Sequence, residues 1–434
     1  MQNADSVVLP HTGDDEHANT SESTPLVGHG LKPLSKRELA ISRVQFFALC
    51  WSIFLIGWND GTIGPLLPRI QDYYDVGFAT VSWIFVLGCI GIVFGAFINL
   101  PLTPTLGFGK MLVFGGSFSI VAYGLQSLRP GWHTFVLSFF IGGIGMAMQD
   151  AHANAFVALV KHNNELKMGL LHASYGLGAL IAPISATLFA QTPHWSSHYW
   201  TSFGLSIINV VVLALVFRLK VQDVCLREGG EHVPEPDESQ PPHKFTQILK
   251  MKATHLLALY LLTYIGVEVT IGAWTVTFMM IVRGGGSYTG YVASSFFGGL
   301  MLGRVILIPV SRKFGEVNAA YLYTVLAIAF QLVVWLVPSF TINAIAVCLI
   351  GIVLGPMYPI AMNHSGRIFP RSLVTGAIGW IAACGAAGAA ALPSLTGNIA
   401  ARFGIESLQP FLVVAMAFMG FFWYLVPKHP QRTT

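Results

Sequence analysis

The sequence predicts an all-α membrane protein of twelve transmembrane helices, arranged as two pseudo-symmetric six-helix bundles. Three observations carry that prediction. Only 10% of the 434 residues are charged and 54% are apolar, where a soluble domain carries about 25% charged residues. The apolar residues fall into twelve segments of about 20 residues, the length that crosses a hydrocarbon core of about 30 Å. The second six segments also repeat features of the first six at a nearly constant offset.

Residues 1–42 are rich in Ser, Thr, Gly, Asp and Glu. They cannot bury enough apolar surface to order themselves, so a disordered tail is expected. The first bundle is expected over 43–218, with spans near 44–66, 78–101, 110–128, 133–160, 168–190 and 200–218. A polar linker, 219–252, contains Glu235-Pro-Asp-Glu-Ser-Gln-Pro-Pro242. The second bundle, 253–427, places spans near 254–282, 289–310, 318–338, 342–364, 373–396 and 407–426, and 428–434 form a short tail. The many glycines and prolines are ordinary here, because membrane helices tolerate both and pack through small residues.

The internal duplication rests on four matches in order. Asp60-Gly-Thr-Ile-Gly64 in span 1 pairs with Glu268-Val-Thr-Ile-Gly272 in span 7, an offset of 208. Gly91 and Gly95 pair with Gly299 and Gly303 at the same offset. Ile141-Gly142 pairs with Ile350-Gly351 at 209, and Gly145 with Gly355 at 210. Gly178 and Pro183 pair with Gly388 and Pro393 at 210.

Lys and Arg set the orientation. Twenty of the 24 fall on the side that holds both ends and the central linker, against Arg69, Arg129, Arg283 and Arg402 opposite. The positive-inside bias places both termini in the cytoplasm. The five cysteines show no metal or redox spacing, and Cys225 alone lies in the polar linker. No disulfide framework, zinc site or cofactor is expected. The net charge of +4 gives no footprint for nucleic acid. Hydrolase, zinc-protease and ATP-binding motifs are absent from the sequence, so neither an enzyme nor a primary pump is expected.

The whole pattern resembles the major facilitator superfamily over residues 42–428. Gly57-Trp-Asn-Asp60-Gly in span 1 and Gln149-Asp150-Ala-His-Ala-Asn154 in span 4 are similar to the fucose:proton symporter branch. Gly266-Val-Glu-Val-Thr-Ile-Gly-Ala-Trp274 resembles its fungal bypass-of-stop-codon-type members. The superfamily's loop 2–3 signature is degenerate in Leu102-Thr-Pro-Thr-Leu-Gly-Phe-Gly-Lys110, which lacks its Asp and Arg pair. The second-half counterpart survives as Gly299-Leu-Met-Leu-Gly-Arg304 and Arg312-Lys-Phe-Gly315. The resemblance therefore implies that gating rests on Arg304 and Arg312, and that spans 1, 4, 7 and 10 line a central cavity.

An ionisable side chain inside a span costs at least about 2.5–3.5 kcal/mol to insert and is a functional candidate by default. Asp60, Asp150 and Glu268 are the carboxylates in question. Desolvation disfavours their charged form, which suits a proton carrier. Asn154 follows Asp150 by one turn on the same face. Gln149 is turned by about 100° and Asn59 adjoins Asp60. His172 and Tyr175 lie one turn apart in span 5. Trp274 and Trp380 sit mid-span and are candidate stacking platforms. Asn59, Gln149, Asn154, His172, Tyr175, Trp274 and Trp380 are thus the expected solute-binding set, with His152 read as a packing residue.

The expected activity is secondary active, proton-coupled transport of a small polar organic solute, sugar-like or an organic acid, by alternating access. The rivals are a proton-driven exporter of a drug-like metabolite and a non-transporting sensor. The expected partners are the solute, protons and the lipid bilayer, with the chain a monomer. Glu22-Ser-Thr-Pro-Leu-Val27 is like an acidic dileucine signal, yet the plasma membrane is expected over a vacuolar or lysosomal one.

Overall fold

In a hydrocarbon environment every backbone N–H and C=O must be satisfied within its own segment, which leaves helices as the available spanning element for this chain. The computed structural model describes residues 34–160, 162–231, 244–370 and 373–429. The 22–27 signal, the acidic and Pro-rich stretch 235–242 and residues 430–434 lie outside the described residues. Among those described, eleven helices are long and apolar enough to cross a membrane. A twelfth span is a helix pair, Ser287–Ile306 and Ile308–Phe314, bent by 52°.

The first six spans are Lys36–Tyr74, Phe78–Leu106, Phe108–Ser127, Trp132–Leu159, Leu166–Ala190 and Ser197–Phe217. The second six are Lys252–Val282, the bent pair, Glu316–Leu336, Phe340–Ile368, Gly376–Phe403 and Ile405–Leu425. Span 1 begins well before the expected residue 44, inside the segment expected to be disordered. Ser35 and Glu38 form a capping box: Ser35 Oγ accepts from the Glu38 N–H at 3.2 Å, and Glu38 Oε2 accepts from the Ser35 N–H at 2.8 Å. That exchange satisfies orphan donors at the helix start and lets a polar sequence enter the helix.

The expected linker also holds two short helices, Gln222–Glu228 and Lys244–Lys250. The first docks on span 1, where Gln45 Nε2 donates to the Cys225 carbonyl at 2.9 Å. Cys225 is 0% exposed despite its polar neighbours in sequence. Burial pushes its thiol up to about 11.

Glycines set the helix spacing, and they reveal the repeat. A Cβ on Gly91 of span 2 would lie 2.1 Å from the Phe140 carbonyl oxygen of span 4. At Gly299 of span 8 it would lie 2.3 Å from that of Cys348 in span 10. Spans 5 and 11 close on spans 1 and 7 in the same way: Gly178 meets Phe54 O at 2.0 Å and Gly388 meets Leu262 O at 1.9 Å. The expected register for spans 4 and 10 needs correction. Gly142 faces only Ala122 at 3.4 Å, whereas Gly143 meets Gly88 O at 2.3 Å as Gly351 meets Phe296 O at 2.2 Å. The true pair is Gly143 with Gly351, at 208. Gly145 and Gly355 are not equivalent either, since Gly145 packs on span 3 and Gly355 on span 8. Sequence identity alone allowed a one-residue slip that close approach forbids.

The two bundles meet from the membrane midplane outward to the face opposite the linker. Gly176 touches Met301 at midplane. Beyond it, Cys89 Sγ reaches the Ala386 carbonyl at 3.7 Å, Ser394 Oγ donates to Ser82 O at 3.4 Å, and Gln191 Nε2 donates to Ser287 O at 3.2 Å. Trp274 of span 7 packs against Phe78 and Phe85 of span 2. Packing on this scale closes the far side, while His172 and Asp150, nearer the linker side, are exposed.

Three outcomes follow from this packing. Gly388→Val is expected to cost about 1–3 kcal/mol by overpacking, read as a fall in Tm of the detergent-solubilised protein. Gly204→Ala, with nothing within 4 Å of its added Cβ, should leave stability unchanged or raise it by up to about 1 kcal/mol, read as an unchanged or higher Tm. Cys225 should resist a water-soluble maleimide at pH 7 until the protein is unfolded, because thiolate is the reactive species.

Candidate functional site

Span 1 carries Asn59 and Asp60 to the middle of the first bundle, and helices on either side complete a polar chain. Tyr175 of span 5 donates its hydroxyl to Asp60 Oδ2 at 2.7 Å. Asn59 Nδ2 donates to Asp60 Oδ1 at 3.2 Å, and Tyr123 of span 3 donates to Asn59 Oδ1 at 3.3 Å. Spans 1 and 5 therefore hold one carboxylate through both of its oxygens, and span 3 extends the chain through Tyr123. The close approach of span 1 to the Tyr175 carbonyl, where a Cβ on Gly57 would lie 2.0 Å away, makes the short Tyr175–Asp60 bond possible.

Asn59, Asp60 and Tyr123 line a cavity of about 120 Å³ with Ser119 and Gln126 of span 3. Its apolar walls include Ile84, Phe85, Phe139 and Met146, with Val269 and Ala386 contributed by the second bundle. Gln126 is 2% exposed and its Oε1 has no hydrogen-bond partner. An orphan acceptor beside a cavity with several polar side chains is the setting in which water or a solute hydroxyl supplies the missing donor.

Asp150 lies one turn beyond Met146 toward the linker side. Asn154 Nδ2 donates to its Oδ1 at 2.8 Å and to its carbonyl at 2.9 Å, so the pair shares a face as the spacing implied. Asp150 is within electrostatic range of Asp60 and of Tyr358 in span 10. Glu268 is 7% exposed. Tyr264, one turn earlier, adjoins its carboxylate and donates its own hydroxyl to Leu354 O at 3.2 Å, and the Arg304 guanidinium of span 8 is an opposite charge within electrostatic range. His172 is exposed and also within range of Arg304. Electrostatic range thus links Asp60, Asp150, Tyr175, His172, Glu268 and Arg304 across the two bundles, with Asn59 and Asn154 hydrogen-bonded to the two aspartates, and the exposed Asp150 and His172 mark a vestibule on the linker side.

Other expected members are placed elsewhere. Gln149 is 2% exposed and turns into the seam with span 3, where Nε2 donates to Leu112 O at 3.4 Å. The 100° step from Asp150 carries it off the cavity face. Trp274 is 0% exposed and its indole N–H donates to Pro393 O at 3.0 Å. With Phe78 and Phe85 against its ring, it is a closure residue here rather than an open stacking platform. Trp380 is half-buried in span 11 against the apolar core. Arg312 is exposed at the linker face, away from the Asp60 cluster. His152 packs as expected, with Nδ1 at 2.8 Å from Met148 O and its ring on Phe108.

Sequence reasoning missed Ser119, Tyr123, Gln126, Tyr264 and Tyr358. Ser119, Tyr123 and Gln126 recur at the i, i+4, i+7 spacing of one helix face, the signal that was there to be read. It also missed a buried polar brace beside the site. His198 Nε2 lies 2.9 Å from Thr62 Oγ1 and Nδ1 3.2 Å from Ser185 Oγ, with Trp58 stacked on the ring at 5.3 Å. Thr62 is two residues from Asp60, so this brace fixes span 1 at the depth of the carboxylate.

The Major Facilitator Superfamily profile matches residues 49–362. The chain belongs to that superfamily. Its relatives include Bypass of stop codon protein 6 of Saccharomyces cerevisiae, 27% identical over 424 residues, covering 91% of this chain and 85% of that protein. The glucose/mannose transporter GlcP of Bacillus subtilis is 21% identical over 323 residues, covering 73% and 79%. Among solved structures, a bacterial homolog of the human lysosomal transporter Spinster, inward-facing and unoccupied, superposes with a TM-score of 0.72 at 14% identity, covering 91% and 98%. The superfamily transporter FucP in its outward conformation gives 0.60 at 15%, covering 89% and 99%. The protein is therefore a multi-pass integral membrane member of a transporter superfamily, with the twelve-helix fold expected of it.

If Trp274 serves closure, Trp274→Phe should lower Tm by removing the bond to Pro393 O, worth about 1 kcal/mol, and leave solute KM unchanged. A large rise in KM at unchanged Tm would return Trp274 to the binding set.

Proposed function

We propose that the protein moves a small polar organic solute, sugar-like or an organic acid, by proton-coupled alternating access. The observation that carries this reading is the Asp60 cluster, in which a mid-membrane carboxylate is held by Tyr175 and Asn59 at the edge of a cavity. A carboxylate so placed exchanges protons when the vestibule opens to water, and its hydrogen-bond donors loosen when it becomes neutral. Asp150 stands near enough to sense that change through charge. On the facing bundle, Glu268 and Arg304 supply a carboxylate and a cation whose balance shifts as the bundles rock.

Solute recognition falls to Asn59, Asn154, His172 and Tyr175, joined by Tyr123, Ser119 and Gln126, which offer donors and acceptors matched to hydroxyls or carboxylates. The name of the Bacillus relative, a glucose/mannose transporter, supports the sugar-like class. The lysine and arginine bias supports cytoplasmic termini, so the vestibule described above opens inward. Arg304 and Arg312 are assigned to gating at that inner face. A monomer in the plasma membrane is the corresponding biological unit. The apolar share of the cavity wall, Ile63, Ile84, Phe85 and Phe139, supports a second reading as an exporter of amphipathic metabolites.

Proteoliposomes with an imposed pH gradient, offered sugars, organic acids and amphipathic drugs, test both readings. Accumulation of a polar solute supports the first, and gradient-driven loss of a drug supports the second. Asp60→Asn and Asp150→Asn should each reduce accumulation to the level of empty vesicles, while exchange of labelled solute at equal pH persists. Unchanged pH dependence in both variants would falsify the proton assignment.

A further inference from the structure

We propose that the bay between spans 8, 9 and 10 at the linker face binds a phosphate-bearing anion, presented by an anionic lipid headgroup or by a soluble phosphate ester. The bay encloses about 530 Å³ and is separate from the Asp60 cavity. Three guanidiniums line it, Arg304, Arg312 and Arg367, with Glu316 the one carboxylate among its lining residues. Glu316 is already engaged: Arg367 Nη1 lies 3.0 Å from its Oε2, and Asn363 Nδ2 donates to its Oε1 at 3.3 Å. The remaining two guanidiniums leave the bay positively charged. The Nε of Arg304 is buried without a hydrogen-bond partner, and a buried donor in that state calls for an acceptor.

Phosphate fits this donor set. Guanidiniums present paired N–H groups in a plane that matches two phosphate oxygens. The setting also suits an amphiphile. Beyond the 52° bend, Ile308–Phe314 lines the bay through Ile308, Ser311 and Arg312 and carries Arg312 and Lys313 in its last turn. Val305, Ile306, Ile308 and Phe314 beside it are exposed apolar side chains. Cationic groups next to apolar surface at one membrane face form the arrangement that takes a charged headgroup with its acyl chains alongside. Arg304 is shared between the bay and Glu268. An anion in the bay draws on a cation within electrostatic range of Glu268, which ties occupancy to the central site.

The test uses the full-length protein in nanodiscs of phosphatidylcholine, with and without phosphatidylinositol 4-phosphate, and counts bound lipid by native mass spectrometry. Inositol 1,4-bisphosphate in solution, followed by calorimetry, is the soluble arm. The phosphorylated lipid should be retained over phosphatidylcholine. Arg312→Gln, on an exposed side chain whose loss leaves folding intact, should weaken retention about fivefold. Glu316→Gln should strengthen it, because Arg367 is released to the anion. A structural role alone would lower Tm in the Glu316 variant and leave affinity unmoved. Retention of the lipid alone assigns the site to a headgroup, and equal affinity for the bisphosphate assigns it to soluble esters. Equal retention of phosphorylated lipid and phosphatidylcholine, or affinity unchanged in both variants, would overturn the proposal.

Discussion

A carboxylate at the depth of Asp60 has to be hydrated, neutralised or hydrogen-bonded, since insertion of the bare charge costs at least about 2.5–3.5 kcal/mol. Much of the first bundle is arranged to meet that demand. Tyr175 and Asn59 supply donors to its two oxygens, Tyr123 extends the chain, and a cavity that also holds Ser119 and Gln126 adjoins it. Each partner comes from a different helix or a different face, so the bonds also set how spans 1, 3 and 5 are rotated. The His198–Thr62 brace fixes span 1 from the opposite side.

The second constraint is the lack of a hydrophobic drive between helices in lipid. Tails are as apolar as the side chains they would replace, so helices associate through close packing and interhelical hydrogen bonds. Glycine permits that packing. Carbonyls about 2 Å from the place a Cβ would occupy recur at Gly91, Gly178, Gly299 and Gly388. The same contacts bring Tyr175 within reach of Asp60, so helix packing and site geometry share one cause.

The bundle count, the span positions and the three membrane carboxylates were all legible before any coordinates, because hydrocarbon imposes length and polarity on a chain directly. Rotation was far less legible. A soluble helix shows which face is buried by its pattern of polar residues, but a membrane helix is apolar on both its lipid and its core faces. Gln149 and Asp150 are neighbours in sequence, yet one enters a helix seam and the other the vestibule. Trp274 appeared as an open platform on depth alone, while its indole is locked to Pro393. Helix starts were misplaced for a related reason: polar residues 36–43 carry no hydropathy signal, and the capping box at Ser35 acts through hydrogen bonds.

By itself the sequence determined that this protein spans a membrane twelve times, is internally duplicated and carries ionisable groups at midspan. Each of those follows from composition read along one dimension. Only the tertiary structure decided which polar groups converge, that Tyr123 and Gln126 belong with Asp60, and that the repeat register runs through Gly143 rather than Gly142. Those outcomes depend on helix rotation and on backbone approaches of about 2 Å from a notional Cβ. Such contacts are made between segments far apart in the chain, where no local pattern can report them.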